Sequence, residues 1–313
     1  MVYDTTKTPD GLVPKSLSAE IWKTAMAEAV VPTLAKSTPI IIGENTVPTL
    51  EKRPSAHIVG ESEAKSDSDI KLGETKLHTA KVQTGLEFTM EVTQSNPGHV
   101  MDMLAEELSG AISRQIDLAV LHGRVASTGE AMSGDRAHLS QTSNEVAIGT
   151  DLSEIDERLW DGYAKVVAND GSMTGAAIDP KLTALIAQAR DKRGNRIYPD
   201  VSMSGTNFGP FASLNTGMSK TISGRVDAST DTGIVAFAGD FEALRFGRAL
   251  DIPLKRIEYG DPFGNGDLQR HNRVAFMVEA IVGWGVMDAN RFVKYTVGSS
   301  SGGDGNGGAE GNE

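Results

Sequence analysis

The 313-residue sequence predicts an α+β fold, and three features carry that prediction. A single apolar stripe at helical spacing runs from Pro97 to Gly123. A β-rich return fills Gly233 to Thr296, where short apolar runs are punctuated by Gly and Asp. Between Lys52 and Leu77 lies a polar stretch, bounded by strand-like segments, that has too few apolar residues to form a core.

Residues 1–15 carry Thr, Pro and Gly without periodicity and read as an extended arm. In the following SLSAEIWKTAMAEAVVP, Ile21, Trp22, Ala25, Met26 and Ala29 share one helical face. Pro32 is expected to end that helix, because proline lacks the N–H and clashes with the preceding turn. Strand-like runs follow at Ile40–Ile42 and Val47–Leu50. In ESEAKSDSDIK, Ile70 is the only large apolar residue, so the segment is expected to project as a loop or hairpin. It is flanked by β-like Ala56–Gly60 and by Lys81–Val92, in which Val82, Thr84, Leu86, Phe88 and Met90 alternate with polar neighbours.

Pro97-Gly98 opens the long helix. Val100, Leu104, Leu108, Ile112, Ile116 and Ala119 space at three to four, and Gly123 supplies the stop. About 25 residues at ~1.5 Å each make a helix of roughly 37 Å. A Gly/Ser/Thr-rich loop leads to a second helix, Leu152 to Ala168, with Asp151 or Thr150 as N-cap. Ala176–Ile178 reads as a short strand, and Asp179-Pro180 starts a third helix reaching Arg190. Residues 191–232 read as loop-rich, and the last sixteen residues, seven of them Gly, as a disordered tail.

Composition removes several functions. Thirty Lys and Arg against 42 Asp and Glu give a net charge of −12, which argues against binding nucleic acid through its phosphates. Without cysteine there are no disulfides, thiolate metal sites or thiol nucleophiles, and a reducing cytoplasmic origin fits. No signal peptide and no spanning segment is visible, so a soluble chain is expected.

Tests for chemistry mostly fail. His57, His78, His99, His122, His138 and His271 have no ligand spacing and read as scattered surface residues. No nucleophile elbow or phosphate loop occurs. Gly303–Gly308 matches G-x-G-x-x-G in letters but follows no strand and opens no helix. Asp67-Ser68-Asp69 begins like a calcium loop, yet Lys71 stands where an oxygen ligand is needed. Trp22, Trp160 and Trp284 read as core or interface packing. No catalytic residue, cofactor or metal is expected.

The order of segments resembles the major capsid proteins of tailed bacteriophages, the Hong-Kong-97-type fold of the phage capsid family. The resemblance rests on His57-Ile58-Val59-Gly60-Glu61, Ser68, Leu77 and Lys81, and on the helix MDMLAEELSGAISRQIDLAVLHG. It continues in the Gly239-Asp240-Phe241 turn and in the closing strand Arg273–Trp284 followed by MDANRFVKYT, covering roughly residues 16–297.

The resemblance implies a set of parts. These are an N-terminal arm with a short helix (1–30), an extended E-loop hairpin (53–85) and an axial α/β domain (145–235). A peripheral domain (31–52, 86–144 and 236–297) would hold the spine helix (97–123), and a Gly-rich tail (298–313) would close the chain. It implies a non-enzymatic structural protein of the virion that self-assembles as hexamers and pentamers. These would close an icosahedral shell around the double-stranded DNA genome, assembled in the host bacterial cytoplasm. The implied partners are other copies of the chain, a portal protein, a separate scaffold, protease or decoration protein, and packaged DNA, without a membrane. The body begins close to Met1, which implies a separate scaffold or none. Intersubunit contact is expected through Glu61, Glu63, Lys65, Asp67, Asp69 and Lys71. Some family members crosslink an E-loop Lys to a neighbour's Asn. Lys65 or Lys71 with Asn265 or Asn272 are the available groups, but no motif fixes a pairing.

Two residue-based readings agree or compete with this. A polar hairpin of about 25 residues has no use within a monomer but can reach across a neighbour, and an acidic inner wall would let DNA slide. The competing class is an α/β enzyme near the Gly260–Asp267 turn, with Asp240 and Glu258 as acid and base. A decoration or tail-tube protein is a third, likewise structural, option.

Overall fold

A computed structural model describes residues 24–26, 28–43, 45–52, 54–61, 67–95, 100–134, 136–149, 151–201 and 209–297. The arm over 1–15, Trp22, His99 and the tail lie outside the described residues, as do Glu63 and Lys65.

Two five-stranded sheets enclose the long helix. The first has the order β1 (Lys36–Ser37), β8 (Leu244–Ile257), β9 (Arg273–Val286), β3 (Lys71–Thr89), β2 (Asn45–Lys52). The second has the order β4 (Glu145–Ile148), β10 (Phe292–Val297), β7 (Ile234–Gly239), β5 (Gly175–Ile178), β6 (Asn215–Met218). Residues 24–26 and 28 are helical, and the helices with both ends among the described residues are, in chain order, α1 (Val30–Leu34), α2 (Met90–Ser95), α3 (Val100–His122), α4 (Ile155–Ala168) and α5 (Pro180–Gln188).

The periodic stripe of α3 does what its spacing predicts. Leu104, Leu108, Ile112 and Ile116 are each 1–2% exposed. They share a core with Val82, Phe246, Phe276 and Trp284 of the first sheet, and with Ala177, Phe237 and Phe292 of the second. Each such side chain contributes on the order of 1.5–3 kcal/mol by leaving water. The opposite face of the second sheet (Ala176, Ile178, Val235, Val293, Tyr295) packs on α4 and α5 through Ile155, Leu159, Val166, Leu182 and Ile186. This second unit is the α/β block expected from the helix–strand–helix pattern. Gly123 ends α3 with φ +65°, and the Asp179 carboxylate caps α5 by accepting from Lys181 N at 2.8 Å.

Several local expectations are corrected. Pro32 does not end a helix; it is the third residue of α1, inside the first turn, where its missing N–H has no intrahelical partner. The break falls at Ala29, which is extended at φ −71°, ψ 132°. Ile40–Ile42 is not a strand, because the Asn45 amide bonds both Ile41 N and Ile41 O and closes a turn. Ile40 is buried against the backbone at Gly247 and Gly283, while Ile41 and Ile42 face outward. Ala56–Gly60 forms no strand. The strand expected to reach Val92 stops at Thr89, opposite Arg273, the first residue of β9; beyond it the ladder has no partner and the chain turns into α2. The second helix starts at Ile155 rather than Leu152, with no side-chain cap.

Within 191–232, Asn215–Met218 forms the edge strand β6. Residues 292–297, grouped by sequence with the peripheral layer, pair with β4 and β7 in the second sheet. The ranges 145–235 and 236–297, expected as separate units, therefore share one sheet, in which β7 and β10 join β4, β5 and β6. Trp284 is core, with Nε1 donating to Ala137 O at 2.9 Å, whereas Trp160 is 56% exposed. His122 is buried, not superficial.

Candidate assembly surface and inter-sheet joint

Strand β3 belongs to two ladders in succession. His78–Thr89 pair with β9 inside the first sheet, while Lys71–Leu77 pair with β2. Lys76 and Leu77 still lie against Gly285 of β9, so the β2–β3 ribbon is a cantilever that overhangs the sheet by roughly 16 Å for five residues at ~3.3 Å each. Among the described residues Leu77 (4% exposed) is its last buried one; beyond it Leu72 is 69%, Ile70 59%, Val59 41% and Ile58 fully exposed. At the root, Lys81 Nζ meets Glu279 Oε2 of β9 at 2.8 Å, tying the ribbon's inner strand to the sheet.

Of the expected contact residues, Glu61, Asp67, Asp69 and Lys71 are described and all are exposed on this overhang. Glu63 and Lys65 lie outside the described residues. Of the two asparagines considered for a crosslink, Asn265 is exposed in the β8–β9 loop, and the Asn272 amide donates to Glu91 Oε1.

The two sequence corners that carry the C-terminal resemblance turn out to be neighbours. The chain crosses from the second sheet to the first at Gly239-Asp240-Phe241, and returns at residues 287–291. Asp240 Oδ2 accepts from Arg291 Nη1 at 3.1 Å, and Asp240 N donates to Arg291 O at 3.1 Å. The second carboxylate oxygen accepts from Glu242 N at 3.1 Å. Phe241 and Phe292 stack edge-to-face at 5.4 Å beneath the joint. Gly239 must be glycine here: its φ is +151°, and a Cβ would lie 2.3 Å from Arg291 O.

This geometry also removes the acid–base pair of the competing reading. Asp240 stands before β8 and Glu258 after it, separated by a 14-residue strand, roughly 45 Å at ~3.3 Å per residue. Glu258 is paired with Arg256 at 2.8 Å. In the Gly260–Asp267 loop, Asp261 accepts from Gly266 N at 3.0 Å, as a turn-closing carboxylate does.

Sequence reasoning missed two buried titratable groups on α3. Asp117 is 0% exposed, and burial raises its pKa from 3.8 to about 6. His122 is 5% exposed, and burial lowers its pKa from 6.5 to about 4, with the charges of Arg124 and His138 acting in the same direction. The available signal was a lone carboxylate within Ile116-Asp117-Leu118-Ala119-Val120-Leu121. Among the described residues no group of three His, Asp or Glu could hold a metal ion, and no helix is long and apolar enough to cross a membrane.

The chain belongs to the phage capsid family, whose model matches residues 10–297. It is 23% identical over 313 residues to the probable major capsid protein gp17 of Mycobacterium phage D29, covering 96% of this chain and 95% of that one. A solved chain from Gordonia phage Cozz shares 45% identity and superposes with a TM-score of 0.80 over 87% of both chains. Another, from Mycobacterium phage Ogopogo, shares 31% identity with a TM-score of 0.75, over 87% of this chain and 92% of that one. The mixed helix-and-sheet architecture is thus the Hong-Kong-97-type capsid fold that the sequence resemblance implied, and the protein is a structural capsid protein of a phage.

Proposed function

We propose that this protein is the major capsid subunit, which self-assembles as hexamers and pentamers into an icosahedral shell around double-stranded DNA. The observation that carries this reading is the cantilevered β2–β3 ribbon. An isolated two-stranded hairpin is marginal in water, and this one exposes Ile58, Ile70 and Leu72 beyond the buried Leu77. A neighbouring copy supplies the missing cover. The parts then take the roles the family implies: ribbon as E-loop, α3 as spine helix, and the second-sheet unit as the axial domain. Glu61, Glu63, Lys65, Asp67, Asp69 and Lys71 are the proposed intersubunit contacts. A portal protein, a separate scaffold, protease or decoration protein, and the packaged DNA are the further proposed partners, with assembly in the host cytoplasm. A net charge of −12 supports a container wall that does not trap DNA.

Sedimentation and negative-stain microscopy of the purified protein test this. Shells or capsomer-sized rings are expected. Deleting residues 62–75 should abolish them while the subunit stays folded. A wild-type protein that stays monomeric at high concentration refutes the assembly reading, and normal shells from the deletion refute the role of the ribbon.

A further inference from the structure

The C-terminal half of α3 grips two other parts of the chain through one buried carboxylate. Asp117 Oδ1 accepts from Val31 N at 2.9 Å; Oδ2 accepts from Val30 N at 3.0 Å and from Thr221 Oγ1 at 3.0 Å. It thereby joins the first turn of α1 and the 3-10 turn Lys220–Ser223 to the long helix. All three donors are uncharged. Thr221 Oγ1 also lies 2.8 Å from Ser219 Oγ, so its hydrogen has two acceptors to choose between.

We propose that Asp117 is a proton-operated clasp, which holds the Val30–Leu34 segment on the long helix more tightly with a proton bound than as a carboxylate. When neutral, Oδ2–H donates to Thr221 Oγ1, whose hydrogen turns to Ser219 Oγ; Oδ2 accepts from Val30 N through its remaining lone pair, and Oδ1 still accepts from Val31 N. No polar atom is orphaned, and no charge remains among Val30, Val31 and Val120. When ionised, the carboxylate keeps three hydrogen bonds but no counter-charge.

Burial is the largest influence on Asp117, and the three hydrogen bonds only partly offset it, so its pKa rises from 3.8 to about 6. A group raised on docking stabilises the docked state fully below its free value of 3.8, and that stabilisation is lost as pH rises through about 6. Besides Asp117, the charged and titratable groups on the elements around it are Glu28 on the preceding segment, Asp102, Glu106, Glu107, Arg114 and His122 on α3, and Lys220 on the turn. His122 holds the same turn by donating from Nε2 to Ile222 O at 2.9 Å, and its depressed pKa gives it the opposite pH response. This clasp is independent of the assembly reading.

Hydrogen exchange on the full-length protein, read by mass spectrometry and corrected for intrinsic rates, tests it on peptides spanning 24–36. Opening of this segment should be roughly tenfold rarer at pH 5 than at pH 8. Asp117→Asn, whose amide can donate to Thr221 as the neutral acid does, should show the pH 5 protection at both pH values. Asp117→Ala should exchange faster at both, since Val30 and Val31 lose their acceptor. His122→Gln should leave the response of 24–36 in place. Two results overturn the clasp: Asp117→Asn exchanging like Asp117→Ala at pH 8, or a wild-type segment no better protected at pH 5 than at pH 8.

Discussion

Leu72→Asp separates what the ribbon does for its own subunit from what it does for a neighbour. Leu72 lies opposite Leu50 in the β2–β3 register and is 69% exposed in the subunit. A substitution at so open a site should change folding stability by about 0.5 kcal/mol or less. If a neighbouring copy covers the remaining two-thirds of the side chain, that cover stabilises each contact by about 1–2 kcal/mol, from ~1.5–3 kcal/mol for complete burial of leucine. A buried, unpaired carboxylate adds a further penalty. Since about 1.4 kcal/mol is tenfold in an equilibrium constant, the concentration at which shells appear should rise at least about tenfold. Sedimentation velocity across a dilution series gives that concentration, and thermal melting of the dissociated subunit gives the folding term. A melting temperature that falls by many degrees would show that Leu72 packs within its own chain. An unchanged assembly concentration would show that no neighbour covers the ribbon; either result refutes the reasoning.

The remaining predictions concern the body. Leu108→Asp or Ile112→Asp places a charge at a 1%-exposed position of α3 and should remove most of a domain's ~5–15 kcal/mol of stability; insoluble expression or a collapsed melting transition is the expected readout. Arg291→Ala strips the partner from Asp240, whose side chain is 8% exposed while that of Arg291 is 31%, and should cost about 3 kcal/mol in chemical denaturation, the low end for a buried pair; adding Asp240→Asn should restore part of it. His122 is held neutral, so its contribution is present above pH 6.5 and lost as pH falls through about 4. It amounts to roughly 3 kcal/mol. His122→Gln should therefore flatten the acid limb of the melting temperature against pH, relative to wild type.

What the sequence by itself determined is what local spacing encodes. Leu104, Leu108, Ile112 and Ile116 recur at a helical period, so a long helix with one buried face follows without knowledge of its partners. Asp179-Pro180 carries its own cap, Gly123 its own stop, and the ESEAKSDSDIK stretch its own inability to build a core, which located the overhanging ribbon. The Gly239-Asp240-Phe241 and Asn290-Arg291-Phe292 corners were readable as motifs. That they clasp each other at the two crossings between sheets was not, because 50 residues of strand and loop lie between them.

Strand membership was decided only by the tertiary structure. Phe292–Val297 follows β9 in sequence yet joins the other sheet, because a ladder's partner is set by non-local pairing that a period of two does not record. The same holds for Pro32, tolerated because α1 begins two residues earlier, and for Ile40, seated over two glycines contributed from residues 247 and 283. Asp117 and His122 show the limit most directly. A carboxylate and an imidazole look alike in sequence whether they face water or a core; their pKa values and partners came from Val30, Val31, Thr221 and Ile222, up to about a hundred residues away, brought against α3 by the packing of both sheets.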